Sequence, residues 1–119
     1  MGYVRVKGLI GRSEVESTDV TFLVDTGAFY SAIPPKLADE LNLKAFLEAE
    51  ITLADGRRVR AGITLAYIKL LDRGGVFPLA IVSVPEPVMG VTVLEGLGLR
   101  VDPATGELEH SRPYGLAMI

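Results

Sequence analysis

FLVDTGAFYSAIP, residues 22–34, carries an acid where acids are seldom placed. Val20, Phe22, Leu23 and Val24 lead up to Asp25; Thr26 and Gly27 follow, and apolar text resumes with Ala28, Phe29 and Tyr30. The β-branched and aromatic run over 20–24 reads as a buried strand. An ionised carboxylate at the end of such a strand is costly to desolvate unless something pairs with it. The glycine turn then returns the chain to a short strand at 31–33, stopped by Pro34 and Pro35. That arrangement would hold Asp25 on rigid support at the base of a cleft. The same letters also fit a plain strand end, with Asp25 accepting nearby backbone N–H groups in an Asx turn. The rest of the chain has to choose between them.

Working outward, strand signals dominate. Residues 3–9 alternate in character, and the polar stretch 11–19 reads as a turn region. Residues 35–43 (PKLADELNL) predict a helix, with proline where a first turn tolerates it and Leu37 and Leu41 on one face. Residues 50–53 and 58–61 flank Ala54-Asp55-Gly56-Arg57, and Asp-Gly between two strand-like runs is a hairpin signal. A second pair, 63–71 and 76–84, surrounds Asp72-Arg73-Gly74-Gly75. Val88-Met89-Gly90 steps into a short helix over 91–97 that ends near Gly98. A strand at 99–101, a turn at 102–106 and a last short strand at 107–109 complete the pattern. The apolar tail, Leu116 to Ile119, is expected to dock on something. The result is a mostly β chain with two short helices and no internal linker, read as one domain over residues 1–119.

Bulk properties narrow the chemistry. The chain of 119 residues has a net charge of −3 and a pI near 5.1, which gives no electrostatic case for nucleic acid. Its mean hydropathy of +0.36 is high for a small soluble domain and points to surface hidden in an oligomer. Cysteine is absent, so disulfides, thiol nucleophiles and Cys-type zinc sites are excluded together. The one histidine, His110, lies in a polar stretch and reads as a surface residue, which leaves Ser/His/Asp hydrolysis without a base. One histidine and scattered carboxylates offer no metal site, and no glycine-rich phosphate loop opens a helix; no cofactor is expected. Arg57-Arg58-Val59-Arg60 reads as a solvated strand end. Without a signal pattern or a membrane-length apolar run, a cytoplasmic location is the default expectation, with no membrane partner.

The surviving motif resembles the aspartic proteases, more closely their small retropepsin-like members in retroviruses, bacteria and archaea. Val24-Asp25-Thr26-Gly27-Ala28 is similar to the family's catalytic motif, and Ser31-Ala32-Ile33-Pro34 to its usual sequel. The 54–57 hairpin falls where the family carries its substrate-covering flap. Val88-Met89-Gly90 with 91–97 resembles the second hydrophobic-Gly element and its helix, and 97–102 resembles prokaryotic members. Phe29 and Tyr30 stand where retroviral enzymes usually place polar or acidic residues, and the flap tip is less glycine-rich than theirs.

The resemblance implies a retropepsin-like closed β-barrel with one or two short helices, in an obligate symmetric homodimer acting on a peptide or protein substrate. Hydrolysis without a covalent intermediate needs both a base and an acid, and two carboxylates sharing a proton supply both. A single motif per chain therefore implies Asp25 from each of two copies. By the same resemblance, Thr26, Gly27 and Ala28 support the dyad and the substrate backbone, and Ala54, Asp55, Gly56 and Arg57 form the flap. Phe29, Tyr30, Ile33, Val88, Met89 and Gly90 are candidate subsite residues, with Val91 beside them. The rival is a non-catalytic dimerisation or peptide-binding module on the same fold.

Overall fold

The structure is a computed structural model that describes residues 3–53 and 55–114. Strands β1 (Arg5–Gly11) and β2 (Ser17–Val24) form an antiparallel hairpin in register from Arg5↔Leu23 to Gly11↔Ser17. β3 (Ser31–Ile33) follows the Asp25 loop and leads into α1 (Pro35–Glu40). β4 (Leu47–Thr52), β5 (Arg58–Leu70) and β6 (Arg73–Ile81) make two successive hairpins. β7 (Val88–Met89) then inserts between β2 and β3, parallel to the first and antiparallel to the second. Strand order is β1-β2-β7-β3-β6-β5-β4, and an additional β1–β5 pairing closes the sheet on itself. The fold is thus a closed barrel with β4 outside the ring, extending the first half of β5.

The interior follows from alternation along these strands. Phe22, Ile10, Ile33, Ile68, Leu70, Leu79 and Met89 are all fully enclosed. Each such side chain contributes about 1.5–3 kcal/mol by leaving water. Helix α2 (Val91–Leu97) closes one side of this core with Val93, Leu94 and Leu97 and ends at Gly98 in the left-handed conformation. β8 (Leu99–Val101) and β9 (Leu108–His110) form a separate two-stranded sheet. His110 lies exposed on it, its Nε2 2.7 Å from Asp72 Oδ1.

The structure departs from the sequence expectations in several places. Residues 58–70 form one strand of 13 residues, not two runs separated near Gly62. Gly62 stays in the ladder because a Cβ there would lie 2.7 Å from the Ala45 Cβ; it makes room for a crossing chain and breaks nothing. The following turn is Leu71-Asp72, with Leu71 at φ 55, while Arg73, Gly74 and Gly75 already pair within β6. β2 begins at Ser17, so the turn after β1 is confined to 12–16; Thr18 and Asp19 are exposed residues within a strand. α1 is shorter than 35–43, stopping at Glu40 with Leu41 as its C-cap. The apolar 116–119 tail lies outside the described residues.

The described end of the chain is tied down by arginines. Arg73 is almost fully buried, and its Nη1 donates to the carbonyls of Leu97 (3.0 Å), Gly98 (2.9 Å) and Arg112 (2.7 Å). Arg112 Nη2 donates to Glu95 and Gly96 carbonyls at 2.6 and 3.2 Å. Together the two guanidiniums satisfy the last carbonyls of α2, which a helix cannot pair internally, and place positive charge at its negative end.

Candidate active site

Asp25 is the first residue beyond β2, and its backbone is fixed from three directions. Val24 N–H donates to Val4 O (2.9 Å), Asp25 N–H to Met89 O (2.9 Å), and Ala28 N–H returns to Asp25 O (3.1 Å). The side chain is held as well: Oδ1 accepts the Gly27 N–H at 3.0 Å. The Asx turn is therefore present, but it uses one oxygen only. Among the described residues nothing donates to Oδ2, and Asp25, Thr26 and Gly27 are all exposed. The acid is not buried in a single chain; the apolar run ends where the carboxylate meets solvent. A Cβ on residue 27 would sit 3.3 Å from Asp25 Oδ1, so glycine there leaves the carboxylate uncrowded.

Beneath the loop, β7 and α2 grip its carbonyls. Val91 N–H donates to Ala28 O at 2.8 Å, and Thr92 Oγ1 donates to Phe29 O at 2.6 Å. Ser31, buried at 1% exposure, accepts the Gly90 N–H at 2.8 Å and points its hydroxyl at the Met89 sulfur, 3.8 Å away. Gly90 packs its bare Cα against the loop: a Cβ there would lie 2.6 Å from Tyr30 O and 2.9 Å from Ala28 O. The position allows only glycine because two backbone segments touch across it.

In front of Asp25 opens a cleft of about 680 Å³. Phe29, Tyr30, Ile51, Leu53, Val82, Val84 and Val88 make its walls largely apolar; Glu50, Asp55 and Arg57 bring charge to one rim. Phe29 and Tyr30 meet edge to face, ring centroids 5.1 Å apart at 84°, and Phe29 is 66% exposed. The β4–β5 hairpin overhangs this space, its turn closed by Leu53 N–H to Arg57 O (2.8 Å) and Gly56 N–H to Leu53 O (2.9 Å). Asp55 braces the turn through Oδ1 to Arg57 N (3.0 Å) and Oδ2 to Arg57 Nε (2.7 Å). The Arg57 backbone N–H first, and then its guanidinium, hold the Asp55 carboxyl below the usual carboxylate range. The remaining hairpin arginines pair diagonally across the strands, Arg58 with Glu50 and Arg60 with Glu48.

The structure thus gathers Asp25, Gly27, Ala28, Phe29, Tyr30, Asp55, Arg57 and Val88 around one cleft. Thr26 is exposed beside it, and Gly56 forms the hairpin tip at φ 88. Ala54 lies outside the described residues. Ile33 and Met89 are core residues with no exposure, and Gly90 is buried, so none of the three lines the cleft. Strand parity is the reason: in β3, Ala32 faces the cleft while Ser31 and Ile33 face inward, and in β7, Val88 faces the cleft and Met89 the core. Sequence reading missed the part of the cleft wall formed by Val82 to Pro85. Its only signal was an apolar run between β6 and the prolines at 85 and 87. Among the described residues no group of three His, Cys, Asp or Glu could hold a metal ion.

Comparison with known proteins agrees with this geometry. The profile of a family described as aspartyl protease matches residues 11–93. Among solved structures, the chain is similar to EIAV protease in complex with the inhibitor HBY-793, with a TM-score of 0.68 and 21% identity over 85% of this chain and 93% of that one. A retropepsin-like aspartic protease from Rickettsia conorii superposes with a TM-score of 0.62 and 16% identity, over 85% of this chain and 77% of that one. No curated protein sequence matches.

Proposed function

The chain belongs to the aspartyl protease family, with the retropepsin-like fold, and on that footing we propose that it is an aspartic endopeptidase working as a symmetric homodimer. One observation carries the proposal: Asp25 stands rigidly mounted and solvent-open at the floor of an apolar cleft, with one carboxylate oxygen unengaged by the described residues. A single carboxylate cannot serve as base and acid in one step. A second copy brought up on a two-fold axis supplies the missing group from the identical loop.

In that dimer the two Asp25 carboxylates share one proton, because like charges so close do not both ionise. The ionised member draws a proton from a water molecule lying between them while the protonated member donates to the scissile carbonyl oxygen. Water oxygen bonds to carbonyl carbon, giving a tetrahedral intermediate. Collapse expels the nitrogen, which takes the proton of one carboxyl while the other carboxylate takes the proton of one of the intermediate's two hydroxyls, so that the products are an acid and an amine and the dyad again holds one proton. Thr26 hydroxyls bond across the interface and fix the paired loops. Gly27 lets the substrate main chain approach, and Ala28 keeps the surroundings of the acid narrow. The 54–57 hairpin closes over the bound peptide and excludes water. Phe29, Tyr30, Val88 and the 82–85 wall receive substrate side chains.

Asp25→Asn tests this directly. Amide and carboxyl are nearly isosteric, so the variant should fold and dimerise like the parent yet cleave no peptide. Full peptidase activity in Asp25→Asn would overturn the assignment.

A further inference from the structure

The part of the cleft wall formed by residues 82–85 is secured in an unusual way. Among the described residues, 82–87 are anchored by backbone hydrogen bonds only near their ends: Val82 N–H to Ile33 O at 3.1 Å, and Leu23 N–H to Pro87 O at 2.8 Å. Pro85 and Pro87 have no N–H to give, and each holds the residue before it extended, so the stretch is stiff within itself but cannot be knitted into a ladder. Val82, Ser83, Val84 and Pro85 line the cleft; Glu86 does not. Its carboxylate instead makes a two-pronged contact with the Arg5 guanidinium on β1, Nε to Oε1 at 2.9 Å and Nη2 to Oε2 at 3.0 Å. Among the described residues this is the only side-chain hydrogen bond made by any member of the stretch.

Register explains why the two meet. Arg5 lies opposite Leu23 across β1–β2, and Leu23 in turn donates to Pro87 O, so Arg5 and the 86–87 turn flank the same strand residue. The fork geometry matches a carboxylate, which a lysine head would not. The guanidinium carbon of Arg5 also lies over the Tyr3 ring, 6.0 Å from its centroid.

We infer that the Arg5–Glu86 pair is a positioning tether for the 82–85 wall, setting substrate affinity without touching substrate. The inference rests on the endopeptidase reading for its enzymatic consequence, though the tether itself is a property of the fold. Both partners are partly exposed, with side-chain exposures of 49% and 32%, so the effect is modest and screened by salt. Freed of the pair, the wall swings as a unit about residues 82 and 87 and samples positions in which its apolar side chains no longer meet the peptide.

The test uses the full chain and Glu86→Gln, Arg5→Met and the reversed pair Arg5→Glu/Glu86→Arg. With a peptide substrate, each single variant should raise KM by about two- to fivefold with kcat unchanged, and the reversed pair should recover most of it. The parent's KM should climb toward that of the variants between about 0.01 and 1 M salt, while theirs stays flat. A loss confined to kcat, or a KM unchanged in both singles, overturns the inference. Amide hydrogen exchange at Val82 and Leu23, whose N–H groups anchor the two ends of the stretch, reads the tether without catalysis, and should quicken by a similar factor in the singles. If the parent cleaves no peptide, the endopeptidase reading fails and exchange alone decides the tether: unchanged rates refute it.

Discussion

Gly90→Ala puts the account of the active loop under direct stress. The added Cβ would lie 2.6 Å from Tyr30 O, 2.7 Å from Tyr30 C and 2.9 Å from Ala28 O. A carbon and a carbonyl oxygen tolerate roughly 3.3 Å, so the segments must part by about 0.5 Å or more. All three neighbours are backbone atoms, and no rotamer change can relieve the overlap. Overpacking of this kind costs about 1–3 kcal/mol. Separation also strains the Val91 N–H to Ala28 O bond at 2.8 Å and the Gly90 N–H to Ser31 Oγ bond at 2.8 Å. Each is worth about 0.5–1.5 kcal/mol. The sum is about 2–6 kcal/mol, a large share of the roughly 5–15 kcal/mol that holds a domain folded. Urea unfolding at fixed protein concentration measures it, the fixed concentration being needed because association would shift the apparent stability. Gly27→Ala is the companion: its Cβ meets only the Asp25 carboxylate, at 3.3 Å, so stability should change by less than about 1 kcal/mol while peptidase activity falls. A Gly90→Ala protein within about 1 kcal/mol of the parent would refute the packing argument.

Other consequences are equally open to measurement. Arg73→Met should destabilise the fold by about 2–4 kcal/mol in urea, because the buried carbonyls of Leu97, Gly98 and Arg112 then lose the one Nη1 donor they share. Phe22→Ala should cost about 3–5 kcal/mol, since the ring has no exposure and its removal leaves a cavity in the closed barrel. Acid stability has a defined sign. Hydrogen bonds from His110, from the Arg57 backbone and from Arg5 hold Asp72, Asp55 and Glu86 below their usual values. The unfolded chain therefore binds more protons just below pH ~4, and the stability these groups contribute is present above that point and lost as pH falls through their folded values. A triple amide variant should show a flatter urea midpoint between about pH 5 and 2; an unchanged slope would remove these groups as the cause.

Much of this architecture was legible in the chain because its signals are local. The apolar run into Asp25, the Asp-Gly hairpin, Pro35 at the start of α1 and Gly98 at the end of α2 each act within a few residues. What escaped depends on distant partners. Gly62 looked like a break because its reason, the Ala45 side chain crossing it, lies seventeen residues away in sequence. The Gly74-Gly75 pair resembled a turn, yet Leu71 takes the left-handed conformation and the glycines serve the packing of Tyr67 and Phe77. Ile33, close to Asp25 in sequence, and Met89, within the Val88-Met89-Gly90 motif, were grouped with cleft residues because neither signal reveals strand parity; one known inward residue per strand would have assigned the rest. The 82–85 wall carries no chemistry of its own and becomes visible only when β6 is laid beside β3.

The central claim is that Asp25 is half of a site completed by a second copy. Parent protein and Asp25→Asn are unfolded together, refolded at varying ratios and constant total concentration, and assayed on one peptide. If both carboxylates are required, mixed dimers are inactive and activity follows the square of the parent fraction, leaving about a quarter at equal mixing. A linear decline, leaving about half, would mean that each Asp25 works independently, and about three quarters that one Asp25 per dimer suffices; either would contradict the account.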